Sequence, residues 1–189
     1  MWKWILLGIA AVVVLVVLIL IVWGIGSYNN LVTMQEQVKN SWAQVETVLQ
    51  RRYDLIPNLV NTVKGYAKQE QTVFTEVARL RSQWAGAKTS AEQAQAANQL
   101  EGALGRLMVI VESYPELKSN QNFLALQDEL AGTENRIAVE RRRFNDSARV
   151  YNTAIRRFPT SAVAGLFGFA PHPYFEAAAT AREAPKVEF

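Results

Sequence analysis

The chain opens on an unbroken apolar run. From Ile5 to Val22, eighteen consecutive positions carry no charged or hydrogen-bonding side chain, and the apolar stretch continues through Trp23 to Ile25. A hydrocarbon core of about 30 Å is crossed by roughly 20 apolar residues in a helix, so the run predicts a membrane-spanning helix. Trp2, Trp4 and Trp23 bracket it, at the headgroup level that amphipathic rings favour. A cleaved leader has an apolar region of about 7–15 residues ending in an A-x-A-like site. This run is longer and is followed by Trp23-Gly24-Ile25-Gly26-Ser27, so an uncleaved anchor is expected. Lys3 and the amino terminus precede the span, while Glu36 and Lys39 after it cancel. Positive charge tends to stay cytoplasmic, which points to a cytoplasmic N-terminus and an extracytoplasmic domain.

After the span the apolar positions recur at helical spacing. Leu31, Met34, Val38, Trp42, Val45, Val48 and Leu49 share one face. Between Val22 and Leu31 only Gly24 and Gly26 speak for a break, so the membrane helix can continue into this one. Arg51-Arg52-Tyr53-Asp54-Leu55-Ile56-Pro57 reads as a boundary, with Asp54 as N-cap and Pro57 in a new first turn. The second helix then carries Ile56, Val60, Val63, Ala67, Phe74, Val77 and Trp84, and ends around Gly86. Ser90-Ala91-Glu92-Gln93 has capping-box form. The third helix shows Ala97, Leu100, Leu104, Leu107 and Val111 and stops before Pro115. Phe123, Leu130, Ile137, Phe144, Tyr151 and Phe158 lie seven apart and predict a long fourth helix, capped by Ser119 or Asn120 and ended by Pro159. No segment alternates polar and apolar, so no sheet is expected. The pattern predicts an all-α fold: an N-terminal transmembrane helix, then an antiparallel, up-down-up-down four-helix bundle. The expected boundaries are 1–27 for the anchor, 28–158 for the bundle and 159–189 for an apolar, then flexible, tail.

Composition narrows the chemistry. The 189 residues contain no Cys and one His. Disulfides, cysteine-zinc sites, iron–sulfur clusters and thiol catalysis are excluded together. The four helices hold no His, which excludes the usual di-metal bundle site with its Glu-x-x-His pairs. Asp128, Glu129, Glu134 and Glu140 could form an acid–base pair only if two converged, and nothing in their spacing indicates it. No catalytic, cofactor or metal residue is assigned, and an enzyme is not expected. His172 sits between Pro171 and Pro173 in an extended loop and reads as an inert loop residue rather than a switch.

Two features invite a partner. Arg141, Arg142, Arg143, Arg149, Arg156 and Arg157 face a single acid, Asp146, at the end of the fourth helix. The net charge of the chain is only +3, and consecutive arginines point around a helix, so nucleic acid is not the expected partner. A solvated face competes with anionic lipid or an acidic protein. Val163, Leu166, Phe167, Phe169, Tyr174 and Phe175 then cluster around Gly165 and Gly168. Such a cluster either folds back on the bundle or meets the membrane or another subunit. Together with Arg149, Arg156 and Arg157, these are the candidate contacts with lipid or partner.

Several separated strings resemble the LemA family. They are Arg51-Arg52-Tyr53-Asp54-Leu55-Ile56-Pro57-Asn58-Leu59-Val60 with Thr62-Val63-Lys64-Gly65-Tyr66-Ala67; Tyr114-Pro115-Glu116-Leu117-Lys118; Asn122-Phe123-Leu124; Glu129-Leu130; Thr133-Glu134-Asn135-Arg136-Ile137; and Val163-Ala164-Gly165-Leu166-Phe167-Gly168-Phe169. The resemblance covers nearly the whole chain. It implies a bacterial, membrane-anchored helical bundle and carries over no catalytic residue. The expected function is a non-enzymatic scaffold or organiser of membrane proteins, single-pass in the inner membrane, with the lipid bilayer and protein partners or self-association as contacts. The alternative is a ligand- or peptide-binding sensory module built on the bundle.

Overall fold

A computed structural model describes residues 2–175. Its helices are α1 (Trp2–Tyr66), α2 (Gln71–Gly86), α3 (Ser90–Glu112), α4 (Pro115–Lys118), α5 (Gln121–Arg156) and α6 (Thr160–Phe167). Among the described residues there is no strand, as the absence of alternation predicts. The expected flexible end falls on residues 176–189, which lie outside the described residues.

α1 corrects the expected boundary at Arg51–Pro57. It runs for 65 residues with Pro57 in its interior. Proline there removes the bond to the Tyr53 carbonyl and costs about 3 kcal/mol. Ile56, Leu59 and Val63 are all fully buried on the continuing face. Each such burial contributes about 1.5–3 kcal/mol, so packing outweighs the proline. Asp54 caps nothing; its exposed carboxylate accepts from the Gln50 amide at 2.8 Å. The chain turns instead between Ala67 and Glu70, where the polar residues Lys68, Gln69 and Glu70 follow the last buried position, Ala67.

The α3 cap also differs by one residue. Thr89, not Ser90, is the N-cap, and Glu92 completes the box. Glu92 places a full negative charge at the positive end of the helix, which the neutral Gln93 cannot. Gln93 is used elsewhere: its amide oxygen accepts from Trp42 Nε1 at 3.2 Å and its nitrogen donates to Glu46 at 2.9 Å. The expected cap of the last long helix is present, with Asn120 Oδ1 accepting from the Phe123 amide at 3.1 Å. α4 and α6 were not expected; each is a short turn of helix beginning at or just after a proline.

The described residues divide into two compact units, 2–40 with 146–172, and 41–145 with 173–175. The expected limit between anchor and bundle therefore falls inside α1, and the one at 158/159 falls between α5 and α6.

In the second unit, α1 from Ser41 onwards packs with α2, α3 and α5 up to Asn145. α1 and α5 run antiparallel: Trp42 meets Phe144 edge-on at 5.2 Å, and further along Arg51 pairs with Glu129 at 2.9 Å. Beyond that, the Tyr66 hydroxyl accepts from Asn120 at 3.0 Å. α1 and α2 are antiparallel too, with Tyr53 stacked on Trp84 at 4.1 Å and Lys64 over the Phe74 ring at 5.4 Å. Arg106 joins α3 to Glu76 of α2 at 2.7 Å. Val45, Leu49, Ile56, Phe74, Val77, Leu100, Leu107, Phe123, Ile137 and Phe144 are among its buried core.

In the first unit, the buried side chains are Leu31 and Val38 of α1, Ala148, Tyr151, Asn152 and Ile155 of α5, and Val163 and Ala164 of α6. The heptad seam ends here at Tyr151. Phe158, expected as its sixth member, is 84% exposed. α5 stops at Arg156, and the residue before Pro159 is steered out of helical geometry, which takes Phe158 off the seam.

Candidate functional site

In the first unit the apolar run and the packed base share one helix. Every residue from Trp2 to Trp23 is exposed, and Leu31 is the first to be fully buried. Tyr28 lies between them. Its ring meets Phe167 at 4.8 Å and Phe169 at 5.6 Å, both edge-on. α6 ends on Gly168 at φ +73, a left-handed conformation that glycine adopts without strain, and the Phe169 amide returns to the Ala164 carbonyl at 3.0 Å. That reversal brings Phe169 beside Phe167 against Tyr28.

The candidate contact residues separate into two groups. Val163 faces inward, whereas Leu166 is 79% exposed and Phe167 is more than half exposed. Phe169 is half-buried. Arg156 and Arg157 are exposed, and Arg149 pairs with Asp146 at 3.3 Å on the surface. Tyr174 is exposed, but Phe175 in the second unit is only 5% exposed and is not open to a partner.

The extended segment is held by two asparagines that sequence reasoning missed. In the first unit, Asn152 donates to the His172 carbonyl and accepts from the His172 amide, both at 2.9 Å. The His172 ring lies edge-on to Tyr151 at 5.2 Å. Burial lowers its pKa, and the charge of Lys39 lowers it further. In the second unit, Asn145 holds Phe175 in the same two-point manner, at 2.9 and 2.8 Å. The Phe175 ring stacks on Trp42 at 6.1 Å and lies under the Arg141 guanidinium at 4.3 Å. The only available signal was a pair of asparagines seven apart inside a helix, where asparagine is a poor helix former.

The second unit also contains a half-open cleft of about 350 Å³, lined by Arg52, Glu101, Leu104, Gln127, Leu130 and Glu134. Arg52 is 8% exposed and reaches Glu134 only at 4.0 Å. Arg141 meets Glu101 at 3.6 Å. Burial pulls the Arg141 pKa down, and it pushes the phenol of the neighbouring Tyr53 well above its usual range. Glu134 shares this cleft with Glu101. Glu129, Glu134 and Glu140 each face an arginine, at 2.9, 4.0 and 2.7 Å.

These features define an all-α protein whose first helix contains a segment long and apolar enough to cross a membrane. The LemA family model matches residues 41–189, and the chain belongs to the LemA family. It is 31% identical over 174 residues to magnetosome protein MamQ of Magnetospirillum gryphiswaldense, covering 78% of this chain and 64% of that one. It is 29% identical over 175 residues to magnetosome protein MamQ 2 of Paramagnetospirillum magneticum, with 79% and 64% covered. Protein LemA of Metamycoplasma hominis is 25% identical over 143 residues, with 74% and 64% covered. The chain thus spans less than two thirds of the length of these relatives.

Proposed function

We propose that this protein is a non-enzymatic, membrane-tethered helical scaffold that organises other membrane proteins. It crosses the bacterial inner membrane once, with a cytoplasmic N-terminus and its packed helices on the outer side. The observation that carries this reading is the continuity of α1, which leads from the exposed apolar run into packed positions at Leu31 and Val38 with no intervening loop. A tether of this kind has no flexible linker between the apolar run and its first packed positions. Glu129, Glu134 and Glu140, three of the carboxylates that could serve acid–base chemistry, each lie against an arginine. The relatives named for the magnetosome are named for a structure and not for a reaction, which supports the same reading.

A second reading, a ligand- or peptide-binding sensory module, is favoured by the Arg52 cleft, where a buried guanidinium is only loosely paired. Crosslinking in native membranes followed by identification of the captured proteins separates the two. Reproducible membrane-protein partners support the scaffold. Capture of no protein, together with retention of a small molecule or peptide that is lost in Arg52→Gln, supports the module and contradicts the scaffold.

A further inference from the structure

The exit of α1 from the apolar run fixes a level. Six residues, about 9 Å of helix, separate Val22 from Tyr28. The headgroup region on each side of a hydrocarbon core is about 5–8 Å deep, so Tyr28 stands at its outer edge when the apolar run fills the core. Phe167 and Phe169 touch Tyr28 directly. The C-terminal end of α6 is therefore held at headgroup level by an aromatic contact to the spanning helix itself. Leu166 and Phe167 are exposed there. α6 is eight residues long, about 12 Å, and Phe158 and the exposed Arg156 and Arg157 precede its start. Those two cations flank the start of α6, one turn of chain before Thr160.

From this juxtaposition we propose that α6 is an interfacial element that docks into the headgroup layer of an anionic bilayer, with Leu166 and Phe167 inserted and Arg156 and Arg157 paired with lipid phosphates. The occupant follows from continuity and charge. The surface adjoins a helix whose exposed apolar residues already require lipid, and the charges that flank α6 among the described residues, Arg156 and Arg157, are positive. Amphipathic aromatic and aliphatic side chains backed by cations are the elements of interfacial helices. Docking gives the protein a second membrane contact beside the span and sets the tilt of α1 relative to the membrane. The proposal rests on α1 being the anchor.

The chain has no cysteine, so single labels are unambiguous. The full chain is reconstituted in vesicles of neutral or partly anionic phosphatidylglycerol-containing lipid, with an environment-sensitive fluorophore at Leu166→Cys or, as a reference in the same unit, at Lys39→Cys. Lys39 lies seventeen residues past Val22, about 25 Å along α1. Flotation of the same samples reports the anchor separately. Quenching by headgroup-level lipid quenchers should be severalfold stronger at position 166 than at 39. It should rise with anionic lipid, and Arg156→Gln with Arg157→Gln should return it to the neutral-lipid value. Protein that floats with the vesicles yet shows equal quenching at both positions overturns the docking and leaves the anchor standing. An unquenched label at 166 with a disulfide-linked dimer of unlabelled Leu166→Cys overturns it in favour of a second copy. Protein that fails to float overturns both.

Discussion

Asn145 and Asn152 bind the backbone of the extended C-terminal segment as an adjacent strand would, offering one donor and one acceptor to one residue each. Their roles were not legible in the sequence because their partners lie 20 and 30 residues away and are main-chain groups, which carry no side-chain signature. The seam residues were legible, since burial is written in their spacing. Phe144→Ala or Ile137→Ala should cost about 2–5 kcal/mol, measured by denaturant unfolding. Phe158→Ala, although in the same heptad register, should change stability by no more than about 0.5 kcal/mol, because its side chain is already exposed. Equal losses at Phe144 and Phe158 would contradict the structure. His172 adds a pH dependence. Its folded pKa lies below the unfolded value of about 6.5, so the unfolded chain binds the proton first as pH falls. The stability it contributes is complete above about pH 6.5 and is lost as pH drops through the lowered folded value. His172→Gln should flatten the stability profile in that window; a profile that keeps its slope would contradict a partly buried, neutral ring.

Element boundaries were less legible than element types. The helical period from Leu31 to Tyr151 was plain, but a capping residue and a proline together mimicked a helix start at Asp54 and Pro57. Local signals lost there because the buried face continues without interruption through Tyr53, Ile56, Leu59 and Val63. At Thr89 and Ser90 two registers offered a capping box, and the charge on Glu92 selected the earlier one. These differences are measurable. Thr89→Ala should cost about 1 kcal/mol, as for a working N-cap. Asp54→Ala and Ser90→Ala should each stay within about 0.5 kcal/mol of the parent protein. A loss at Asp54 as large as that at Thr89 would restore a helix start at that position.

At the scale of the molecule, the all-α class and the long apolar helical segment were both readable from hydrophobic patterning alone, because each follows from a single period or run. The division into two units was not readable. It depends on which residues of α1 and α5 meet the returning segment, and that segment is placed by Tyr28, Asn145 and Asn152 rather than by its own pattern. The central claim is that α1 is an anchor continuous with the helices it carries. Extraction of membranes at alkaline pH tests it most directly, because surface-held proteins are released and spanning helices are not. The full chain should remain in the pellet, while a variant starting at Tyr28 should appear in the supernatant with its helical circular dichroism intact. Release of the full chain into the supernatant would contradict the account.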